Sequence, residues 1–181
     1  MGNSKTVPVV EKDSISGSKP GCRWAATSMQ GWPKYMEDRY HVLFTIPKPS
    51  HLHHWRYFSI FDGHGGAQTA ERCSNELFGI IEKNIGQLLV AQDDTDGKHN
   101  PVGIDALCEQ IKKSFLEMDY KLKYEPKVVD DSHHHHHHAG DDISGSTAVV
   151  VLMSKEHIFT AHLGDSRAIL MLDNDSMVAV I

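Results

Sequence analysis

The chain has 181 residues, 40% of them hydrophobic and 23% charged, which is the size and composition of one globular domain and excludes fibrous and largely disordered classes. Its net charge of -6 is spread over several segments with no Lys/Arg block or basic-aromatic stripe, which argues against a nucleic-acid partner. No stretch nears the roughly 18 consecutive apolar residues of a membrane span, and Cys22, Cys73 and Cys108, odd in number and far apart, read as reduced, buried thiols of an intracellular protein.

The opening Met1-Gly2-Asn3-Ser4-Lys5-Thr6 fits an N-myristoylation pattern at Gly2, with a polar terminus of no consequence as the competing reading. One acyl chain, helped only by Lys5 and Lys12, supports reversible membrane contact and no more. Residues 1–21 are polar and aperiodic and are expected to form a flexible N-terminal arm. The ordered part begins at Cys22, with a strand over 23–28, a turn-rich stretch, and a second strand over 39–45 that Pro47 and Pro49 end. The turn-rich stretch closes on adjacent acids, Glu37 and Asp38. Adjacent acids are usually solvated. These open an apolar strand, where a buried carboxylate needs a cation or a hydrogen-bonding partner.

Residues 55–61 are aromatic and β-branched enough for a buried strand, and they stop abruptly at Asp62-Gly63-His64-Gly65-Gly66. An Asp-Gly pair by itself reads as a hairpin turn. The sequel argues otherwise: Ala67, Ala70, Cys73, Leu77, Ile80, Ile81, Leu88 and Leu89 recur at helical spacing, so the glycines lead into a helix over 68–89. Asp62 and His64 then stand at a strand end, facing a cleft. The acidic stretch 92–97 lacks the alternating ligands of a calcium loop and reads as surface. A second helix is expected over 103–124, stopped by Pro126. Residues 130–142 hold six consecutive histidines, His133 to His138, and read as a low-complexity loop with no fixed metal geometry. Strands over 146–153 and 157–163 follow, then Gly164-Asp165-Ser166-Arg167 places another carboxylate at a strand end. A last hairpin pairs 168–172 with 177–181, and a close on Ile181 inside a strand predicts a truncated sequence.

Glu37, Asp38, Asp62 and Asp165 offer oxygen ligands without a thiolate, which favours Mg²⁺ or Mn²⁺ over zinc or copper. Two such ions, roughly 3.5–4 Å apart, neutralise phosphate oxygens and activate a bridging water. His64 is suited to protonate a departing alkoxide near neutral pH. A phosphate-binding G-x-x-x-x-G-K-[ST] loop and an H-E-x-x-H zinc motif are both missing. Spacing alone leaves other readings open, including a structural or metal-storing protein built on the histidine run.

Four segments together carry a resemblance. Met29-Gln30-Gly31-Trp32 leading to Met36-Glu37-Asp38, then Phe61-Asp62-Gly63-His64-Gly65-Gly66, then Ser144-Gly145-Ser146-Thr147-Ala148, then Gly164-Asp165-Ser166-Arg167, resemble in order and spacing the metal-dependent protein serine/threonine phosphatases, the PPM or protein phosphatase type 2C family. The resemblance spans 22–181 and implies an α+β fold, a four-layer α-β-β-α sandwich of antiparallel sheets flanked by helices, incomplete in this chain. It implies phosphoserine and phosphothreonine proteins as substrates, two or more Mg²⁺ or Mn²⁺ ions, and attack by a metal-bound water. By the same resemblance Asp62 bridges the metals, Gly63 lends its backbone carbonyl, Glu37 holds a metal-bound water with Asp38 supporting it, His64 is the general acid, and Asp165 serves a further metal. Two departures accompany it. Pro33 stands where the family commonly places a phosphate-binding arginine, leaving Lys34 as a weak substitute without the planar fork. The family's later aspartates would lie beyond Ile181. The expected location is cytoplasmic, or nuclear, or peripheral to a membrane through Gly2. A non-catalytic fragment or pseudophosphatase that binds phosphoproteins is the alternative.

Overall fold

The computed structural model describes residues 4–93, 102–125, 143–171 and 177–180. In chain order these form β1 (Ser4–Lys19), β2 (Cys22–Pro33), β3 (Arg39–Leu43), β4 (Arg56–Phe61), β5 (Gly63–His64), α1 (Gln68–Asp93), α2 (Ile104–Tyr124), β6 (Gly145–Ser146), β7 (Ala148–Met153), β8 (Ile158–Leu163), β9 (Ala168–Met171) and β10 (Met177–Val180). Strands β3, β4, β7 and β8 make an antiparallel sheet in the order β3-β4-β7-β8. Tyr57 pairs with Leu43 on one side and Leu152 on the other, so β4 is locked between two neighbours.

Strand alternation decides what the sheet buries. Tyr57, Ser59 and Phe61 of β4 and Ala148, Val150 and Leu152 of β7 are buried, and the apolar ones share a core with Ala70, Cys73, Leu77, Ile81 and Ile85 of α1. Those α1 positions step by three and four, which is why a 26-residue helix lies flat on the sheet. Helix α2 packs on α1 through Leu107, Ile111 and Met118, and Lys121 and Lys123 in its last turn complement the helix dipole. The helical spacing and the β4 run thus form as expected, with α1 reaching four residues further.

Polar ties cross between the helices. Asn84 and Ser114 are buried, and the Asn84 amide donates to the Ser114 hydroxyl at 3.0 Å and to Glu117 at 3.2 Å. Nearer the site, Glu76 of α1 accepts from Arg72 Nε at 2.9 Å and pairs with Lys121 Nζ of α2 at 3.2 Å. These cations hold the Glu76 carboxyl below its ordinary 4.5, the Arg72 hydrogen bond first, against an opposing effect of burial. A depressed folded value adds stability above the unfolded pKa that is lost as pH falls through the folded one. Urea midpoints followed below pH 4.5 should therefore fall more steeply for the native chain than for Glu76→Gln. At pH 7 that variant should be about 1 kcal/mol less stable.

The N-terminal segment departs from expectation. Instead of a flexible arm, residues Ser4–Lys19 form β1 and pair antiparallel with β2 from Lys19↔Cys22 outward. Pro20 and Gly21 close the hairpin, Gly21 at φ 78°, a left-handed conformation that glycine tolerates. Most of the β1 side chains stay exposed, so no apolar alternation marks the strand. Backbone pairing and a few anchors hold it: Trp24 of β2 packs on Phe44 and on Phe58, which faces away from the helices, and Lys19 Nζ donates to Thr45 at 2.6 Å. The class is mixed α+β as expected. The described residues supply a helix layer, the sheet, and this ribbon on the sheet's other face. Of the three cysteines expected to be buried, Cys73 is, on the sheet-facing side of α1, whereas Cys22 at the hairpin end is half-buried and Cys108 on α2 is exposed. Gly2, His133 to His138 and most of the 92–97 stretch lie outside the described residues.

Candidate active site

Strand β4 ends where its last buried side chain, Phe61, anchors it in the core, and the next residue, Asp62, is exposed at the sheet's end. The chain continues as β5, which pairs with β6 through Gly63↔Ser146 and His64↔Gly145. Gly63 is buried, and a Cβ there would collide with the Glu37 carbonyl and come within 3.1 Å of the Ala70 Cβ. That absent Cβ is what lets the acidic 36–38 segment lie against β5. Gly65 and Gly66, at φ 68° and 129°, then turn the chain into α1. The His64 ring lies over Gly145, where any side chain would strike the imidazole Nε2.

The Asp38 carboxyl stands within hydrogen-bonding reach of the Asp62 carboxyl. Burial pushes the Asp38 group up from the usual carboxylate range, and the negative charge of Asp62 and the hydrogen bond to it push the same way; Arg39 opposes and Glu37 adds. Two like charges crowded at a strand end are the arrangement a hard divalent cation relieves, so this pair fits Mg²⁺ or Mn²⁺ in ligand chemistry. The wider ligand set is not gathered. Among the described residues no group of three or more His, Cys, Asp or Glu side chains is placed to hold an ion, so Glu37 and Asp165 do not join the pair in one cluster.

Three ties stand behind the pair. Thr147 donates its amide to the Asp62 carbonyl at 2.9 Å, and its hydroxyl accepts from the Asp62 amide at 3.2 Å. The same hydroxyl is 2.6 Å from Ser166, so Thr147 links the Asp62 strand end to the Gly164–Arg167 turn that carries the exposed Asp165. Thr69, at the start of α1, bonds Ser144 through its amide at 3.3 Å and its hydroxyl at 2.9 Å. Arg39 donates to the Met36 and Asp38 carbonyls at 3.1 and 2.9 Å. The first two ties fall on the 144–148 segment of the resemblance, which gave those residues no role; the third has no motif.

Lys34 is exposed, its ammonium 5.1 Å from the centre of the Tyr35 ring, on a loop that the Gln30 amide holds by the Pro33 and Lys34 carbonyls, each at 2.9 Å. No helix among the described residues is long and apolar enough to cross a membrane.

The model of a family described as Protein phosphatase 2C matches residues 23–180. The chain is 34% identical over 172 residues to Protein phosphatase 1A of Homo sapiens, covering 94% of this chain and 40% of that protein. To Protein phosphatase 1B of Homo sapiens it is 32% identical over 170 residues, covering 94% of this chain and 33% of that one. The chain thus spans 40% or less of the length of these two relatives. A solved structure of a C. elegans sex-determining protein aligns with 98% of the chain and 34% of its own at a TM-score of 0.51 and 16% identity, a likeness of fold alone.

Proposed function

The chain belongs to the protein phosphatase 2C family, and from that premise we propose that it serves metal-dependent hydrolysis of phosphoserine and phosphothreonine in proteins. The observation that carries this reading is the Asp38–Asp62 carboxylate pair, held at the end of β4 beside His64. Asp62 would hold a divalent cation, supported by Asp38 beside it, with the Gly63 carbonyl and Glu37 as further oxygen donors and Asp165 serving a further ion. A bound cation supplies charge neutralisation at the phosphate oxygens and an acidified water. As the water oxygen bonds to phosphorus and the ester P–O bond breaks, His64 gives its proton to the departing seryl or threonyl oxygen. Lys34 offers a positive charge to the phosphate without an arginine's bidentate grip.

Phosphate release from a phosphothreonine peptide tests this. Release should require Mn²⁺ or Mg²⁺, stop with EDTA and return on adding back the ion. His64→Ala should slow turnover by about 10²–10⁴-fold while Mn²⁺ binding persists. Release that ignores EDTA would sink the reading.

The alternative, a phosphoprotein-binding module without turnover, is favoured by the lack of a three-ligand cluster among the described residues. It predicts that the chain retains a phosphothreonine peptide and releases no phosphate at any Mn²⁺ concentration. The reading places the protein in the cytoplasm or nucleus, or reversibly on a membrane through an acyl chain on Gly2. Incorporation of labelled myristate, lost in Gly2→Ala, checks the last of these; equal incorporation by both would remove it.

A further inference from the structure

We propose that Arg39 is a positioning residue for this site: its guanidinium, tethered to Glu71 in the first turn of α1, clamps the 36–38 segment by its backbone and so fixes where the Asp38 carboxylate stands against Asp62. The proposal deepens the metal-dependent reading and rests on it for the identity of the ion.

The geometry separates what is already rigid from what needs holding. Arg39 opens β3, and its backbone pairs with Phe61, the residue before Asp62. Arg39 and Asp62 are therefore fixed relative to each other by the sheet. The preceding segment 36–38, which carries Glu37 and Asp38, lies outside any strand or helix. The Arg39 side chain turns back on this segment and donates to the Met36 carbonyl at 3.1 Å and the Asp38 carbonyl at 2.9 Å. From the other side Gly63 lets the Glu37 carbonyl pack against β5. The segment is thus held by backbone contacts on two sides, which leaves its carboxylates free to act.

Of the guanidinium's contacts, the carbonyl bonds dominate. The Glu71 pair spans 3.5 Å with 59% of the Glu71 side chain exposed, a geometry in which water screens most of the attraction. The carbonyl bonds are shorter, and their donor is charged. Glu71 then acts mainly to orient the fork. One planar group reaches two carbonyls and a carboxylate at once; an ammonium on a flexible stem does not reproduce that. Groups that orient a ligand from behind commonly govern metal affinity by 10–100-fold when removed.

The test uses the full chain with Arg39→Ala, Arg39→Lys and Glu71→Gln, and two readouts. In metal-free protein, amide hydrogen exchange over residues 36–38 should quicken about 10-fold in Arg39→Ala while protection of β4 and β7 stays unchanged. Mn²⁺ affinity, read from the free-ion electron paramagnetic resonance signal, should weaken about 10–100-fold. Arg39→Lys should recover less than half of each loss, and Glu71→Gln should lie close to the native chain. Unchanged exchange over 36–38 in Arg39→Ala, or full recovery by lysine, overturns the clamp. A native chain that takes up no Mn²⁺ overturns the metal reading instead, and the metal-free exchange result still decides the clamp.

Discussion

Asp62→Asn is expected to reduce metal-dependent phosphate release to background without lowering the melting temperature. Removing a carboxylate from a hard-cation site removes a charged ligand that an amide oxygen replaces poorly. The same change removes the negative charge that crowds Asp38. In the metal-free protein the fold therefore loses a repulsion and keeps both bonds that the Asp62 backbone makes to Thr147, which do not involve the Asp62 carboxylate. A site that holds like charges together stores a local cost for the sake of function. Activity and stability should therefore move in opposite directions, or stability should stay level. A melt lowered by several degrees would show instead that the Asp62 carboxylate is part of the scaffold.

Phe61→Ala should give the opposite pattern, with stability lost first and activity lost because of it. Phe61 is fully buried, belongs to the core shared with α1, and sits in the ladder opposite Arg39. Truncating such a ring leaves a cavity that the flanking strands and α1 fill only in part, at a cost of about 3–5 kcal/mol. Set against a total stability of about 5–15 kcal/mol, that is enough to unfold a marginal domain. Chemical denaturation should show a lower midpoint with an unchanged slope. A loss below about 1 kcal/mol would mean that the strand end is not anchored through this ring.

Much of the route to Asp62 was legible because each step changes the periodicity. The run ending at Phe61 is aromatic and β-branched enough for a strand, the three glycines break it, and Ala70, Cys73, Leu77 and Ile81 restart at helical spacing. The two helices and the β7–β8 hairpin carry equally local signals. Strand β1 does not. Its side chains are mostly exposed, so its order comes from pairing with β2 and from Trp24 on Phe44 and Phe58, contacts no window of its own sequence contains.

The site divides along the same line. Adjacent acids before a strand and an acid before glycines singled out Asp38 and Asp62, and the structure brings those two side chains together. Thr147 meets Asp62 across 85 residues of sequence, and Arg39 works through backbone carbonyls, which leave no mark on side-chain patterns. Asp165 matched by motif, and its turn is tied to Asp62 through Ser166 and Thr147. A motif fixes the residue type; the distance between two motifs comes from the sheet that joins them.

The Asp38–Asp62 pair is the proposed seat of a divalent cation. Mn²⁺ titration followed by electron paramagnetic resonance, on the native chain and on an Asp38→Asn/Asp62→Asn double variant of matching circular dichroism, tests it most directly. Saturable uptake by the native chain and none by the variant over the same range is expected. Equal uptake by both would place the ion elsewhere and rule this pair out as its seat.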